Sequence, residues 1–150
     1  VTNLNSTGRD RSTASPRVRA GDAPTSYLLP LPYDRPPLTA NQRHHWRRRA
    51  RLTAGVRRAT ATLARSVGVP ALGRCSVRLV WTVTDRRRRD ADNLVPTLKA
   101  CCDGLVDAGV VDDDVPTLMV KHMPEIVLGE RGALVLVVES VNDSPPDGVA

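Results

Sequence analysis

Asp90 and Asp92 stand two residues apart, directly after the run Arg86, Arg87, Arg88 and Arg89, and a second acidic group, Asp112, Asp113 and Asp114, follows farther along the chain. Carboxylates beside arginines are what a protein needs to hold a hard divalent cation against a phosphate. In an extended backbone, residues i and i+2 project to the same side, so Asp90 and Asp92 would point together. Lys99 lies seven residues after Asp92, about two helical turns on, and so on nearly the same face. Each group alone has an ordinary reading. Asp92 can cap a helix that begins near Asn93, and an aspartate run after a helix is commonly a solvated turn. What points to phosphate chemistry is the combination of both groups with the arginines and Lys99.

The element that must position these residues is a short helix. Leu94, Leu98, Cys101 or Cys102, and Leu105 recur at three- and four-residue steps, the mark of a buried stripe. Pro96 falls in the first turn, where its missing N–H costs little, and Gly109 suits the C′ position that ends the helix. The aspartates from Asp112 to Asp114 then enter a loop, free to turn back toward the first pair.

Upstream, Ser26 to Leu31 reads as a strand, and Pro30, Pro32, Pro36 and Pro37 punctuate the loop after it. Thr39 or Asn41 is expected to cap a long helix running to about Val67, with Leu52, Val56, Ala59 and Leu63 as its apolar stripe. Its other faces carry arginines, among them Arg43, Arg47, Arg48 and Arg51, and no acidic residue occurs from Arg35 to Thr84. A helix that needs only solubility mixes signs in i,i+4 pairs; one of a single sign repels itself unless an anion neutralises it. Phosphate contact is therefore the favoured reading of this helix. His44 and His45 are adjacent and do not share a helical face, so backbone phosphate contact or packing suits them better than metal ligation. Cys75 to Val83 alternates apolar and polar residues as a strand does, and delivers Asp85 and the arginine run to the acidic pair. Thr117 to Met123 and Glu125 to Leu128 read as extended, Gly129 to Gly132 as a turn, and Ala133 to Val141 as a last hydrophobic strand.

The 150 residues favour one domain, expected over residues 26–141, with a disordered tail at 1–25 and a flexible one at 142–150. The net charge of +6 and pI near 10.0 point to a polyanionic partner. Aromatics are scarce, two Trp, two Tyr and no Phe, so the core must be built from Val, Leu and Ala, and a base-stacking platform for single strands is disfavoured. Cys75, Cys101 and Cys102 form neither a disulfide framework nor a zinc spacing, and are expected to be reduced and buried in a cytoplasmic protein. No N-terminal apolar stretch has the length of a signal peptide or membrane span. The element order indicates an α+β fold: a small mixed β-sheet packed with a long basic helix and a short helix that carries the site.

The central stretch resembles the RusA-type Holliday junction resolvases, in their phage and prophage branch. That family's pattern is a basic strand end leading into D-x-D-N-L, a helix with a lysine, then D-x-L-x-x-A-G and paired aspartates. Here these are Asp90-Ala91-Asp92-Asn93-Leu94, Lys99, Asp103 to Gly109, and Asp113-Asp114. Pro37 to Trp46 is similar to the segment entering the family's first helix, and the likeness spans about residues 27 to 141. One departure is visible: the best-known members carry the lysine four residues after the second aspartate, where this chain has Pro96. Lys99 fits if the helix has gained three residues, which keeps its facing and moves it about 4.5 Å along the axis.

The resemblance implies a RusA-like fold and a magnesium-dependent endonuclease that resolves four-way DNA junctions as a homodimer. It implies Asp90, Asp92 and Asp114 as ligands to Mg²⁺, with Asp113 as the near alternative to Asp114, and Lys99 as a positive charge at the scissile phosphate. Arg43, Arg47, Arg48, Arg51 and Arg86 to Arg89 would hold the DNA backbone. The alternatives are a junction- or duplex-binding protein without catalysis, for which the arginines alone would suffice, and a metal nuclease acting on other branched DNA.

Overall fold

The computed structural model describes residues 25–142; the expected tails, apart from Thr25 and Asn142, lie outside the described residues. Its elements are β1 (Ser26–Pro30), α1 (Trp46–Val67), β2 (Cys75–Val83), a single 3-10 turn (Ala91–Leu94), α2 (Val95–Asp107), β3 (Met119–Lys121), β4 (Glu125–Leu128) and β5 (Ala133–Ser140). This is an α+β arrangement built on one mixed sheet.

The two long strands make the middle of the sheet. β5 pairs antiparallel with β2 from Ala133↔Thr82 to Ser140↔Cys75, and its other edge takes β1, also antiparallel, with Leu28 opposite Val137. Along its far edge β2 is met twice in parallel, by β3 at Cys75–Val77 and by β4 at Val80–Val83. His122, Met123 and Pro124 separate these two short pieces, and His122 N still donates to Val77 O at 2.9 Å. One interrupted edge thus covers nearly the whole of β2. A proline between the pieces accords with the confinement of proline to sheet edges and breaks, since it has no N–H to give the ladder.

Alternation sorts the side chains. Cys75, Val77 and Leu79 of β2, Leu134, Leu136 and Val138 of β5 and Leu29 of β1 are buried, and with Leu94, Leu98, Cys101, Leu105 and Val56 they form the core between sheet and helices. The registers put Leu28, Arg78, Val120 and Val127 on the opposite face, where Leu28 is 61 % exposed. All three cysteines are free and buried, and burial pushes their thiols up to about 11 at Cys75 and about 12 at Cys101 and Cys102.

α1 differs from its expected form in two respects. It starts at Trp46, not near Asn41, because the preceding residues make their own bonds: Thr39 N donates to Gln42 Oε1 at 3.3 Å, Gln42 N to Thr39 O at 3.4 Å, and His45 Nδ1 accepts from Arg47 N as the actual cap. Arg43 therefore lies outside the helix. Its buried stripe is also turned from the expected line, running through Val56, Thr60, Ala61 and Ala64, with Leu52 and Leu63 only partly buried. The physical reason is close packing on α2. A Cβ added at Gly104 would stand 2.5 Å from Arg57 O and 2.8 Å from Thr60 Cβ, so backbone meets backbone there and small residues must face the contact. Gly104→Ala is therefore expected to push the helices apart and cost about 1–3 kcal/mol, read as a shift in the denaturation midpoint.

α2 ends as expected: Gly109 has φ +76°, the left-handed conformation that glycine adopts without steric cost. Its start differs. Asp92 does not cap; it lies within the 3-10 turn, whose N-cap is Asp90 with φ −100° and ψ 128°, while Leu94 is the N-cap of α2, and neither makes a side-chain capping bond. The start is tied down from elsewhere. Thr97 Oγ1 donates to Leu38 O at 2.6 Å and accepts from Leu38 N, while Ala40 N donates to Asn93 O at 3.1 Å. The proline-rich loop thus holds the turn that carries Asp92.

Candidate functional site

The site residues are arranged along α2. At its start, β2 and the arginine run deliver Asp90 in extended backbone, and the 3-10 turn carries Asp92. Both side chains are exposed, and among the described residues neither carboxylate has a hydrogen-bond or ion-pair partner. The nearby arginines do not neutralise them. Asp85 takes that part, paired with Arg89 at 2.8 Å and with Arg87 at 3.7 Å, and its carboxyl is held below the usual carboxylate range by the Arg89 hydrogen bond first and the Arg87 backbone N–H second.

The arginine run therefore divides. Arg89 turns inward, its side chain 21 % exposed and its guanidinium 5.2 Å from the centre of the Trp81 ring. Trp81 in turn donates through Nε1 to Asp34 O at 3.1 Å. Arg86 and Arg88 are exposed and make no ion pair among the described residues. Arg89 is thus part of the support of the strand end, and Arg86, Arg88 and the exposed Arg87, which has only a long contact to Asp85, are the charges open to a ligand.

Farther along α2, Lys99 reaches two carboxylates. Its Nζ donates to Asp103 Oδ1 at 2.8 Å, one turn on, and to Asp114 Oδ2 at 2.5 Å, on the loop that returns after the helix. Lys121 of β3 donates to the same Asp114 oxygen at 3.0 Å. The Lys99 hydrogen bond, followed by that of Lys121, holds the Asp114 carboxyl down at about 2, while Asp103 and then Asp114 raise the Lys99 ammonium above its ordinary value. Asp113 is turned back, accepting from the Asp114 N–H at 2.7 Å. Of the two candidates in the second acidic group, Asp114 faces α2.

The fold thus brings Lys99 and Asp114 together, and places Asp90 and Asp92 at the entry of the same helix. Among the described residues no group of three or more His, Cys, Asp or Glu side chains forms a ready-made metal cage. The donor chemistry nevertheless fits a hard cation: Asp90 and Asp92 offer carboxylate oxygens committed to nothing else, which is the ligand type that Mg²⁺ takes. Of the candidate DNA-contacting arginines on α1, Arg47, Arg48 and Arg51 are all exposed. Arg57 and Arg65 are used internally: Arg57 grips the Asp107 carboxylate through Nε and Nη2, and Arg65 donates to Asp107 O at 2.9 Å, clasping α1 to the end of α2.

Two participants were not marked by the sequence reading, Lys121 and the pairing role of Asp103. Lys121 sits in a short extended segment with no periodic cue to where its side chain goes. Asp103 had a cue, since a lysine and a carboxylate four apart on a helix commonly pair. No family model matches the chain, and no curated protein matches it either. No helix among the described residues is long and apolar enough to cross a membrane.

Proposed function

We propose that the chain is a magnesium-dependent, structure-specific DNA endonuclease that resolves four-way junctions, as its resemblance to the RusA-type resolvases implies. The observation that carries this reading is the arrangement along α2: carboxylates at Asp90 and Asp92, unpaired among the described residues, lead into a helix whose Lys99 grips Asp114. Asp90 and Asp92, with Asp114 or its neighbour Asp113, would hold Mg²⁺ through oxygen. When bound, the ion supplies an activated water and charge neutralisation at the phosphate. Lys99 is kept protonated by its two carboxylate partners, so it serves as a fixed positive charge toward a phosphate oxygen and not as a proton acceptor. Arg86 and Arg88, with Arg43, Arg47, Arg48 and Arg51, serve the DNA backbone, where affinity comes from neutralised phosphates and not from base identity. A junction is pseudo-two-fold, and paired incision asks for two sites related by the same symmetry, hence a homodimer.

A second reading, a junction- or duplex-binding protein that does not cut, is favoured by one observation: Lys99 and Asp114 already satisfy each other. The deciding experiment incubates the purified chain with a synthetic four-way junction, a duplex and a flap, with Mg²⁺ or with EDTA. The nuclease reading expects symmetric incision of the junction in Mg²⁺ alone. Tight junction binding with no incision in Mg²⁺ would leave the second reading, and preferred cutting of the flap would move the substrate to another branched DNA.

A further inference from the structure

Trp46 is the first residue of α1 and is 67 % exposed, the most exposed large hydrophobic side chain among the described residues. The other aromatics are otherwise employed: Trp81 is held by Asp34 and Arg89, and Tyr27 and Tyr33 pack against the core. A chain with so few aromatics therefore spends one of its two tryptophans on solvent. Exposing one large ring is not unusual in itself. Three further features set this ring apart.

First, its orientation is supported. The Arg47 guanidinium lies 5.1 Å from the ring centre, and the His45 ring is 5.7 Å away at a tilt of 31°. His45 is itself fixed by accepting from Arg47 N at 3.3 Å. Second, the ring opens the stretch of helix that carries exposed Arg47, Arg48 and Arg51, where a polyanion would lie and an apolar protein partner would meet uncompensated charge. Third, the loop leading to it is fastened to the site, since Ala40 N bonds Asn93 O, one residue from Asp92.

We propose that Trp46 is a stacking residue for an unpaired or unstacked nucleobase at the branch point of the DNA, held beside the backbone contacts of Arg47, Arg48 and Arg51. This deepens the DNA-processing reading above and rests on its binding half, not on its chemistry. A branched substrate differs from duplex in having bases at the crossing that lack a stacking neighbour, and a π-face accepts any base without reading its edge. The arginines then give affinity for DNA in general, and Trp46 gives preference for the place where the helix is interrupted.

The test uses the full chain in EDTA, so that cutting plays no part. The probes are a duplex with a single bulged 2-aminopurine and the same sequence fully paired. Wild type is expected to quench the bulged base on binding and to prefer the bulged duplex. Trp46→Ala should lose the quench and about 5- to 160-fold of the affinity for the bulged duplex, the range that base–aromatic stacking supplies. Its affinity for the paired duplex should stay that of wild type, and Trp46→Phe should recover most of the loss. Equal loss on both duplexes would make Trp46 a general contact or a support for Arg47, and an unchanged preference would leave it without a role in DNA; either result overturns the proposal. Failure of the nuclease reading shows elsewhere, as absence of incision in Mg²⁺.

Discussion

The turn that leads into α2 and the stretch around Lys99 are built on opposite principles, one end of this arrangement open and the other closed. Around Lys99 the charges close on themselves: Asp103, Asp114 and Lys121 complete a four-membered net, with the Asp114 side chain 20 % exposed. Around Asp90 and Asp92 they stay open, two exposed carboxylates without partners among the described residues, beside the exposed Arg86 and Arg88. Charges that satisfy one another stabilise the fold before any ligand arrives. Charges left open contribute to folding little or nothing, and their value lies in what they later bind. The closed end fastens the returning loop; on the proposed reading the open end is what receives a ligand, and substitutions at the two ends should then separate accordingly.

The largest effect belongs to the open end. Asp92→Asn should abolish incision of a four-way junction while leaving the melting temperature and the junction affinity close to those of wild type, because a ligand carboxylate serves chemistry and the arginines serve binding. Incision in Mg²⁺ at a wild-type rate would remove Asp92 from the site. At the closed end, Lys99→Ala should do two things at once. Single-turnover incision should slow by at least about tenfold, equivalent to roughly 1.4 kcal/mol of transition-state stabilisation, as the charge at the phosphate is lost. Stability should fall as well, since Asp103 then has no partner and Asp114 keeps only Lys121. A variant that is slower but equally stable would mean that the net around Lys99 does not fasten the loop.

The same contrast explains what could be read from the sequence. The stripe of α2, its proline in the first turn and its terminating Gly109 are local features, and the structure has them where periodicity and turn chemistry put them. So too the alternation of β2 and the last strand. What was not legible depends on contacts between distant segments. The buried line of α1 is turned because Gly104, on another helix, lets the two backbones meet, and nothing within α1 signals that. Its late start reflects the private bonds of Thr39, Gln42 and His45, which compete with helical ones. At the site, the acidic loop was expected to turn back toward Asp90 and Asp92; its Asp114 instead pairs with Lys99, and Lys121 reaches the same oxygen from an edge strand whose position no local pattern fixes. The inward turn of Arg89 onto Trp81 is likewise a tertiary event, so a uniform run of arginines in the sequence becomes an unequal set in the fold.

A smaller effect is expected from the exposed arginines of α1. Replacing Arg47, Arg48 and Arg51 together by Ala should flatten the dependence of log affinity on log salt by roughly one unit for each residue that touches a phosphate. The variant should melt like wild type, since none of the three has an ion-pair partner among the described residues. An unchanged slope in a folded variant would make this helix face an ordinary solvated one and confine DNA contact to Arg86, Arg88 and the residues near them.

The smallest effect is a dependence of stability on pH, and it belongs to the closed end. Asp114 titrates at about 2 in the folded chain against an ordinary 3.8, because Lys99 and then Lys121 favour its charged form. The unfolded chain therefore binds that proton more readily than the folded one. The contribution of Asp114 is complete above the unfolded value and is lost as pH falls through the folded one, over a window of about pH 4 to 2. Lys99 shifts the other way: its raised value means that its contribution is present below its ordinary 10.5 and disappears only in stronger alkali. Across neutral pH the net is thus fully formed, and its signature is confined to the acid limb. In denaturant melts, wild type should lose stability between about pH 4 and 2 more steeply than Asp114→Asn, which has no carboxyl there to protonate. Raising the salt should shrink the difference, because Lys99 is more than half exposed at this pair and screening acts most on exposed pairs. Coincident acid limbs for the two proteins would show that the contacts of Lys99 and Lys121 with Asp114 do not persist in solution, and the loop bearing Asp114 would then be as open as the turn bearing Asp92.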